Sequence, residues 1–309
     1  MTHKWLTNVR RDDPLEQVAE IAIRTRMQTV EGWLHRALEP EPAVESIHQL
    51  RVSVRRARAA LQFFKPCLPP KRRVALNQAL RKTRRIAGPL RDLDVLIEQL
   101  SLQVDEASQR VTQQLRRDRK QAEPRLRKQL KKWTSAISIP KVDRLSARIR
   151  WRRETACPTW PAWAREVLAQ IHARFSQQAA AQPTEIDDLH KLRIQGKRLR
   201  YALELGVGAY PPIRTQLYPT MASLQEKLGA INDLAVSVGV LGELHHRLAD
   251  DVPAQHACET LALQRQTLLT STLAEIEPWW VSDPLGDFRQ SWYAIFSSDS
   301  VQGPVEGIA

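Results

Sequence analysis

Residues 47–66, IHQLRVSVRRARAALQFFKP, constrain the chain more than any other stretch. An α-helix turns ~100° per residue, so positions i, i+3, i+7 and i+10 share a face. His48, Arg51, Arg55 and Arg58 have that spacing, while Leu50, Val54, Ala57 and Leu61 form a separate apolar stripe. The segment is predicted to be a helix with a cationic rail and a core-facing seam. No Asp or Glu stands four residues after any rail arginine, so the rail is not laced by intrahelical ion pairs. Unneutralised, three arginines and a histidine repel one another.

The same object recurs 142 residues later. LHKLRIQGKRLRYALEL (189–205) carries His190, Arg193, Lys197 and Arg200 at identical spacing, with Leu192, Gly196, Leu199 and Leu203 as its seam. A second echo keeps the order: Gly88-Pro-Leu-Arg-Asp-Leu-Asp-Val95 against Gly229-Ala-Ile-Asn-Asp-Leu-Ala-Val236. Two blocks repeated in order at nearly one offset predict a duplicated unit. The duplication also predicts two rails related by a pseudo-twofold, facing each other across an interior channel. Boundaries are placed at 1–140 for the first half, 141–297 for the second, and 298–309 for a frayed tail.

These blocks resemble the CHAD domain family (conserved histidine α-helical domain). The resemblance rests on HxxRVxxRRxR at His48–Arg58, GxxRDLDV at Gly88–Val95, HKLRxxxKRLRYALE at His190–Glu204 and LGxxND at Leu228–Asp233. It spans residues from about 10 to about 275. It implies an all-α, twofold-repeated domain whose inner basic surface binds inorganic polyphosphate. Fold class is therefore expected to be all-α: two helical bundles, each of four to five helices, around a basic central channel.

Charge agrees with a polyanionic partner. Lys and Arg number 47 against 34 Asp and Glu, a formal net charge of +13. Such an excess predicts nucleic acid, anionic lipid or a phosphate polymer as partner. The surplus is local: residues 71–132 hold eighteen Lys/Arg and seven Asp/Glu. Arg73, Arg81, Arg84, Arg85 and Arg91 are expected to extend the first half's basic wall. In the second half Arg214 matches Arg73, but Ala222, Gln225 and Asn232 replace Arg81, Arg84 and Arg91. The site should therefore be asymmetric. Arginine suits phosphate because its planar fork offers paired donors. His48 and His190 would be drawn toward their charged form beside phosphate. The basic stretch Arg116–Lys132 reads either as a second wall of the site or as outer surface, with outer surface the favoured reading.

Nucleic acid is the alternative partner. The nine tryptophans, however, lie off both rails and are expected in packing positions rather than as base-stacking platforms. Catalysis is not expected. The chain has no glycine-rich phosphate loop, HExxH or nucleophile elbow. Companion phosphate-hydrolysing domains of the family use an ExExK strand, whereas Glu39-Pro-Glu41 leads to Ala43. No cofactor or metal is expected; Asp92, Asp94 and Asp233 read as caps or arginine-positioning groups. Three scattered cysteines read as free thiols. Without a signal-like N-terminus or an apolar run of about 18 residues, the expectation is a cytoplasmic protein, lodged on polyphosphate granules.

Along the chain, residues 1–11 are expected to be a loose arm. Helices follow at 14–38, 47–64 and 71–87, and Gly88 opens a fourth with Asp92 and Asp94 in its first turn. Residues 104–134 should be helical, bent or broken near Pro124. Ser135–Asp143 is the expected linker and Arg144–Glu154 a short helical connector. In the second half a helix 213–228, interrupted at Gly229, should resume over 231–249.

Overall fold

The computed structural model describes residues 4–6, 8–101, 105–248 and 250–297; the expected tail at 298–309 lies outside them. It is helical throughout, with no strand among the described residues. In chain order the helices are α1 (Leu15–Ala37), α2 (Val44–Phe63), α3 (Pro70–Ile86), α4 (Gly88–Leu100), α5 (Glu106–Ile137) and α6 (Ile139–Ser146). Then come α7 (Trp160–Ala180), α8 (Ile186–Gly206), α9 (Tyr218–Arg247), α10 (Val252–Ala274), α11 (Ile276–Val281) and α12 (Gly286–Ser297).

The apolar seams do what their spacing dictates. Leu50, Val54, Ala57 and Leu61 of α2, and Leu192, Gly196, Leu199 and Leu203 of α8, are all buried. So are Leu76, Leu80 and Thr83 of α3. One hydrophobic cluster runs from Leu6 to Ile295, so helices from both ends of the chain share a core. A smaller cluster joins Leu96 and Leu100 of α4, Leu115 of α5, Leu241 and Leu244 of α9, and Cys258 and Leu261 of α10. Trp160, Trp163, Trp280 and Trp292 are buried, and the other five tryptophans pack against the larger cluster. Their hydrophobic area is spent on packing rather than presented to a ligand.

Several expectations are corrected. The described part of the N-terminal arm is not loose. Leu6 and Val9 are buried, Trp5 meets Tyr218 edge-on at 4.8 Å, and the Lys4 carbonyl accepts from Arg26 Nη2 at 2.8 Å. Pro124 does not break α5. Its missing N–H falls on the solvent side, where water can satisfy the freed carbonyl, while Leu115, Leu126, Leu130 and Ile137 hold both halves of the helix down. The expected linker at 135–143 is mostly helical. Ser138 alone is extended between α5 and α6, and the Ile139 N–H donates to Glu31 Oε1 at 3.1 Å. The helical connector ends at Ser146, and residues 147–159 are irregular. Trp151 anchors them, its ring 5.5 Å from Trp163 and its backbone N–H donating to Glu16.

Gly229 does not interrupt α9, which runs unbroken for 30 residues after a π-helical turn at Ile213–Leu217. The first-half counterpart does break, between Ile86 and Gly88. The difference is the following residue. Pro89 cannot donate to a helix ladder and restricts Gly88, so it suits a helix start. Ala230 imposes nothing of the kind. With α4 beginning at Gly88, Asp92 and Asp94 lie beyond its first turn, and Asp94 is instead buried in an ion pair with Arg119 of α5.

Candidate functional site: a cationic cluster between α2 and α8

The two rail helices pack against each other. What fixes them is a buried carboxylate. Glu204 of α8 is fully buried and takes a two-pronged bond from Arg56 of α2, Nε to Oε2 at 2.7 Å and Nη2 to Oε1 at 3.1 Å. Arg26 of α1 stands 3.8 Å from the same carboxylate, and the Tyr218 hydroxyl donates to it at 3.1 Å. Burying Glu204 would be prohibitive without these partners. Arg56 therefore faces the core, leaving the rail residues on its neighbouring flank to face away from this pair.

On α2 the rail is half-buried along its whole length. Arg51 Nη1 donates to the Arg84 carbonyl at 3.4 Å, and Arg51 Nε is buried with no hydrogen-bond partner. Gly88 makes this approach possible, because a Cβ there would lie 2.9 Å from Arg51 Nη1. Arg58 Nε donates to Asn77 Oδ1 of α3 at 2.9 Å. Burial and the Arg91 guanidinium hold the His48 imidazole below its ordinary pKa, with Arg55 and Arg51 contributing and Glu45 opposing. Burial and the neighbouring arginines bring Arg51 and Arg58 down to about 10, which leaves both charged at neutral pH.

Arg55 is the member common to both rails. Its charge acts on His48 and Arg51 of its own helix, on Arg84 of α3, and on Arg193 and Lys197 of α8. Lys197 sits deepest in this field. Burial pushes its ammonium down to about 6, with Arg193, Arg55 and Arg200 adding to the effect and Asp233 opposing it. Arg193 Nη2 is 3.8 Å from Asp233 Oδ1, and its Nε, like that of Arg200, is buried without a hydrogen-bond partner. Arg200 lies over the Tyr201 ring at 5.2 Å. His190 pairs its Nδ1 with Asn232 Oδ1 at 2.9 Å, and Asn232 in turn donates to Asp233 at 3.3 Å. The carboxylates whose charges act on the rails are Glu45 at His48, Asp92 at Arg51 and Asp233 at Arg193. Burial raises the Asp92 carboxyl above its usual range, Arg51 opposes this, and Asp233 adds to it.

The remaining predicted residues divide. Arg81 and Arg84 join the cluster through their effect on Arg58, and Arg91 joins through His48 and Arg51. Arg73 is half-buried on the Arg84 face of α3, three turns away; Arg85 is exposed and about 100° round from Arg84. Arg214 is exposed in the π-helical turn, its guanidinium 5.5 Å from the Trp5 ring centre. Sequence reading missed Lys4 and Arg198. Lys4 Nζ lies 4.0 Å from the Tyr218 ring centre, in the field of Glu204 and Arg56 and, more weakly, of Arg200 and Arg214. Arg198 acts on Arg58 from α8. Its neighbour relation was invisible because it falls off the 190/193/197/200 spacing. A cavity of about 630 Å³ lies elsewhere, between Arg11–Glu16 and Cys157–Ala162, and includes none of the rail residues.

Chemically the cluster is a set of forked and point-charge donors, many half-buried, facing few acceptors. An anion with many oxygens and no need of proton transfer would satisfy it. Among the described residues no helix is long and apolar enough to cross a membrane.

Comparison with known proteins agrees with this architecture. The CHAD domain model matches residues 4–242. The crystal structure of the CHAD domain from the plant Ricinus communis superposes with a TM-score of 0.63 at 24% identity, covering 87% of this chain and 93% of that one. PptA from Streptomyces chartreusis superposes with a TM-score of 0.64 at 16% identity, covering 91% and 99%. At these identities the likeness is one of fold. No curated protein sequence matches the chain. With the family model spanning most of its length and the all-α fold shared, the chain belongs to the CHAD domain family.

Proposed function

We propose that the protein is a non-enzymatic module that binds inorganic polyphosphate along the cationic surface between α2 and α8, and that it lodges on polyphosphate bodies in the cytoplasm. In this reading the two rail helices are the repeated elements of a duplicated domain, and their facing surfaces form the channel. The observation that carries the reading is Arg55. It links two histidine-led rails into one field in which Arg51, Arg193 and Arg200 keep buried, unpartnered Nε groups. The arginines themselves are only half-buried, so their guanidinium ends are what an anion's oxygens would meet. Family membership supports the same substrate class through the resemblance of the rail motifs.

The test is the double variant Arg51→Glu, Arg193→Glu. Each lost charged contact is worth about 1.5–3 kcal/mol, so affinity for polyphosphate should fall roughly 10²-fold or more while the helical circular dichroism is unchanged. Undiminished binding by a folded double variant would remove the rails from the site. Competition separates the nucleic-acid alternative. Polyphosphate should displace duplex DNA easily at matched phosphate concentration, and DNA should fail to displace polyphosphate.

A further inference from the structure

The seven carboxylates of the strongly basic region 71–132 are unevenly placed. Asp94 and Glu123 both pair with Arg119, Glu106 with Arg110, and Asp118 with Arg247; Asp105 caps α5. Asp92 faces the central cluster, and Glu98 is on α4. None lies on α3, and none lies on α5 beyond Pro124. From Arg117 to Ile137 the exposed charged side chains of α5 are Arg117, Lys120, Arg125, Lys128, Lys131 and Lys132, every one a cation. Glu123 is buried and Asp118 largely covered. Among the described residues none of these six cations makes an ion pair. They form a stripe about 22 Å long on the solvent side of the helix.

This stripe connects to the central cluster through α3. Helix α3 packs on α5. It carries Arg81 and Arg84 into the cluster, while Lys82 and Arg85 stay exposed beside them. Helix α3 has no carboxylate and α5 has none beyond Pro124, so the two packed helices present cations without an exposed carboxylate there.

We propose that the α5 stripe is a second binding track for the polymer held at the central cluster, engaged by chains long enough to leave the cluster over α3. The proposal rests on the polyphosphate reading above. The stripe's chemistry favours that occupant over others of the same charge. It has no exposed aromatic ring for base stacking, and Trp133 packs against the core. None of the large apolar side chains exposed elsewhere lies on α5, so nothing there would insert into a lipid surface. Duplex DNA, stiff over ~50 nm, cannot turn out of a groove between two helices and across a third. A flexible phosphate thread can. The track is rich in lysine, a hydrated point charge suited to loose, sliding contact, whereas the cluster is built on arginine forks. A chain anchored in the cluster presents its free end to the stripe at high effective concentration.

The test compares full-length wild type with Lys128→Gln, Lys131→Gln, Lys132→Gln, using short (~10 phosphates) and long (~100 phosphates) polyphosphate. All three positions are exposed, so folding should be unaffected. The variant should bind the short chain like wild type, lose about tenfold in affinity for the long chain, and show a salt dependence shallower by about three released counterions. Equal affinity of wild type and variant for the long chain overturns the proposal, as does an equal loss for both lengths. Weakened binding to duplex DNA or to phosphatidylserine vesicles, with long-chain polyphosphate unaffected, would also overturn it by assigning the stripe to another partner. Unimpaired binding of both lengths by Arg51→Glu, Arg193→Glu is a separate result that sinks the polyphosphate reading itself.

Discussion

At the scale of single residues, Lys197 is where the site departs most from ordinary behaviour. Its ammonium is half-buried among Arg55, Arg193 and Arg200, with Asp233 as the opposing charge. With burial and these arginines holding it at about 6, Lys197 is mostly neutral at pH 7.5 in the free protein. A bound polyanion favours the charged form and returns the group toward its usual range. Binding at pH 7.5 should therefore take up about one proton, and affinity should fall as pH rises above 6. Titration calorimetry in buffers of different ionisation enthalpy measures this directly. Lys197→Met should lower the uptake by close to one proton, leaving only the histidines' share, while keeping most of the affinity, which the arginines carry. A binding enthalpy that does not change between buffers would refute it. The same group sets a stability slope. The unfolded chain holds this proton up to about 10.5, so the folded state gains stability as pH climbs from about 6 toward 10.

At the scale of elements, two glycines that look equivalent in the repeat have opposite duties. Gly229 sits inside the continuous helix α9, and nothing lies within 4 Å of where a methyl would stand. Gly229→Ala should raise stability by about 1 kcal/mol, read as a higher midpoint in urea, because alanine loses less backbone freedom. At Gly88 a methyl would meet Arg51 Nη1 at 2.9 Å. Since that contact is the free end of a long side chain, Gly88→Ala should fold but displace the guanidinium, weakening polyphosphate binding severalfold with little change in melting. The link between α2 and α8 is sharper still. Glu204→Ala leaves Arg56 and Arg26 buried without their carboxylate and should cost about 3–5 kcal/mol. A Glu204→Ala protein that melts like wild type would show that the helix pair is held by hydrophobic packing alone.

Across the whole molecule, self-repulsion of a +13 chain with a cationic centre opposes folding until counterions or a ligand neutralise it. Thermal stability should rise with salt, and rise further at equal ionic strength when polyphosphate is present. At a free ligand concentration of 100 Kd the gain is about 2.7 kcal/mol. A melting temperature indifferent to polyphosphate at saturating concentration would contradict binding to the folded state. α3 contributes Arg81 and Arg84 to the cluster, whereas the corresponding stretch of α9 contributes buried Gln225 against Gly196.

The helical fold, the seams and the rails were legible in the sequence because each is a local property: a period of 3.6 residues, a proline, a run of like charge. Leu50, Leu192 and their partners had to be buried wherever those helices packed, and His48 to Arg58 had to share a face. Only tertiary structure decided which rail residues meet, that Arg55 serves both, and that Lys4 and Arg198 belong beside them, since these depend on how helices far apart in sequence are set against each other. It also decided the fate of Pro124, Gly229 and the 135–143 stretch, whose local signals for a break were outweighed by apolar side chains on either side being buried against neighbouring helices. Glu204, a carboxylate in an otherwise apolar run, shows the limit most plainly. Its partners lie 148 residues back on α2 and 14 residues ahead at Tyr218, and no local pattern announces either.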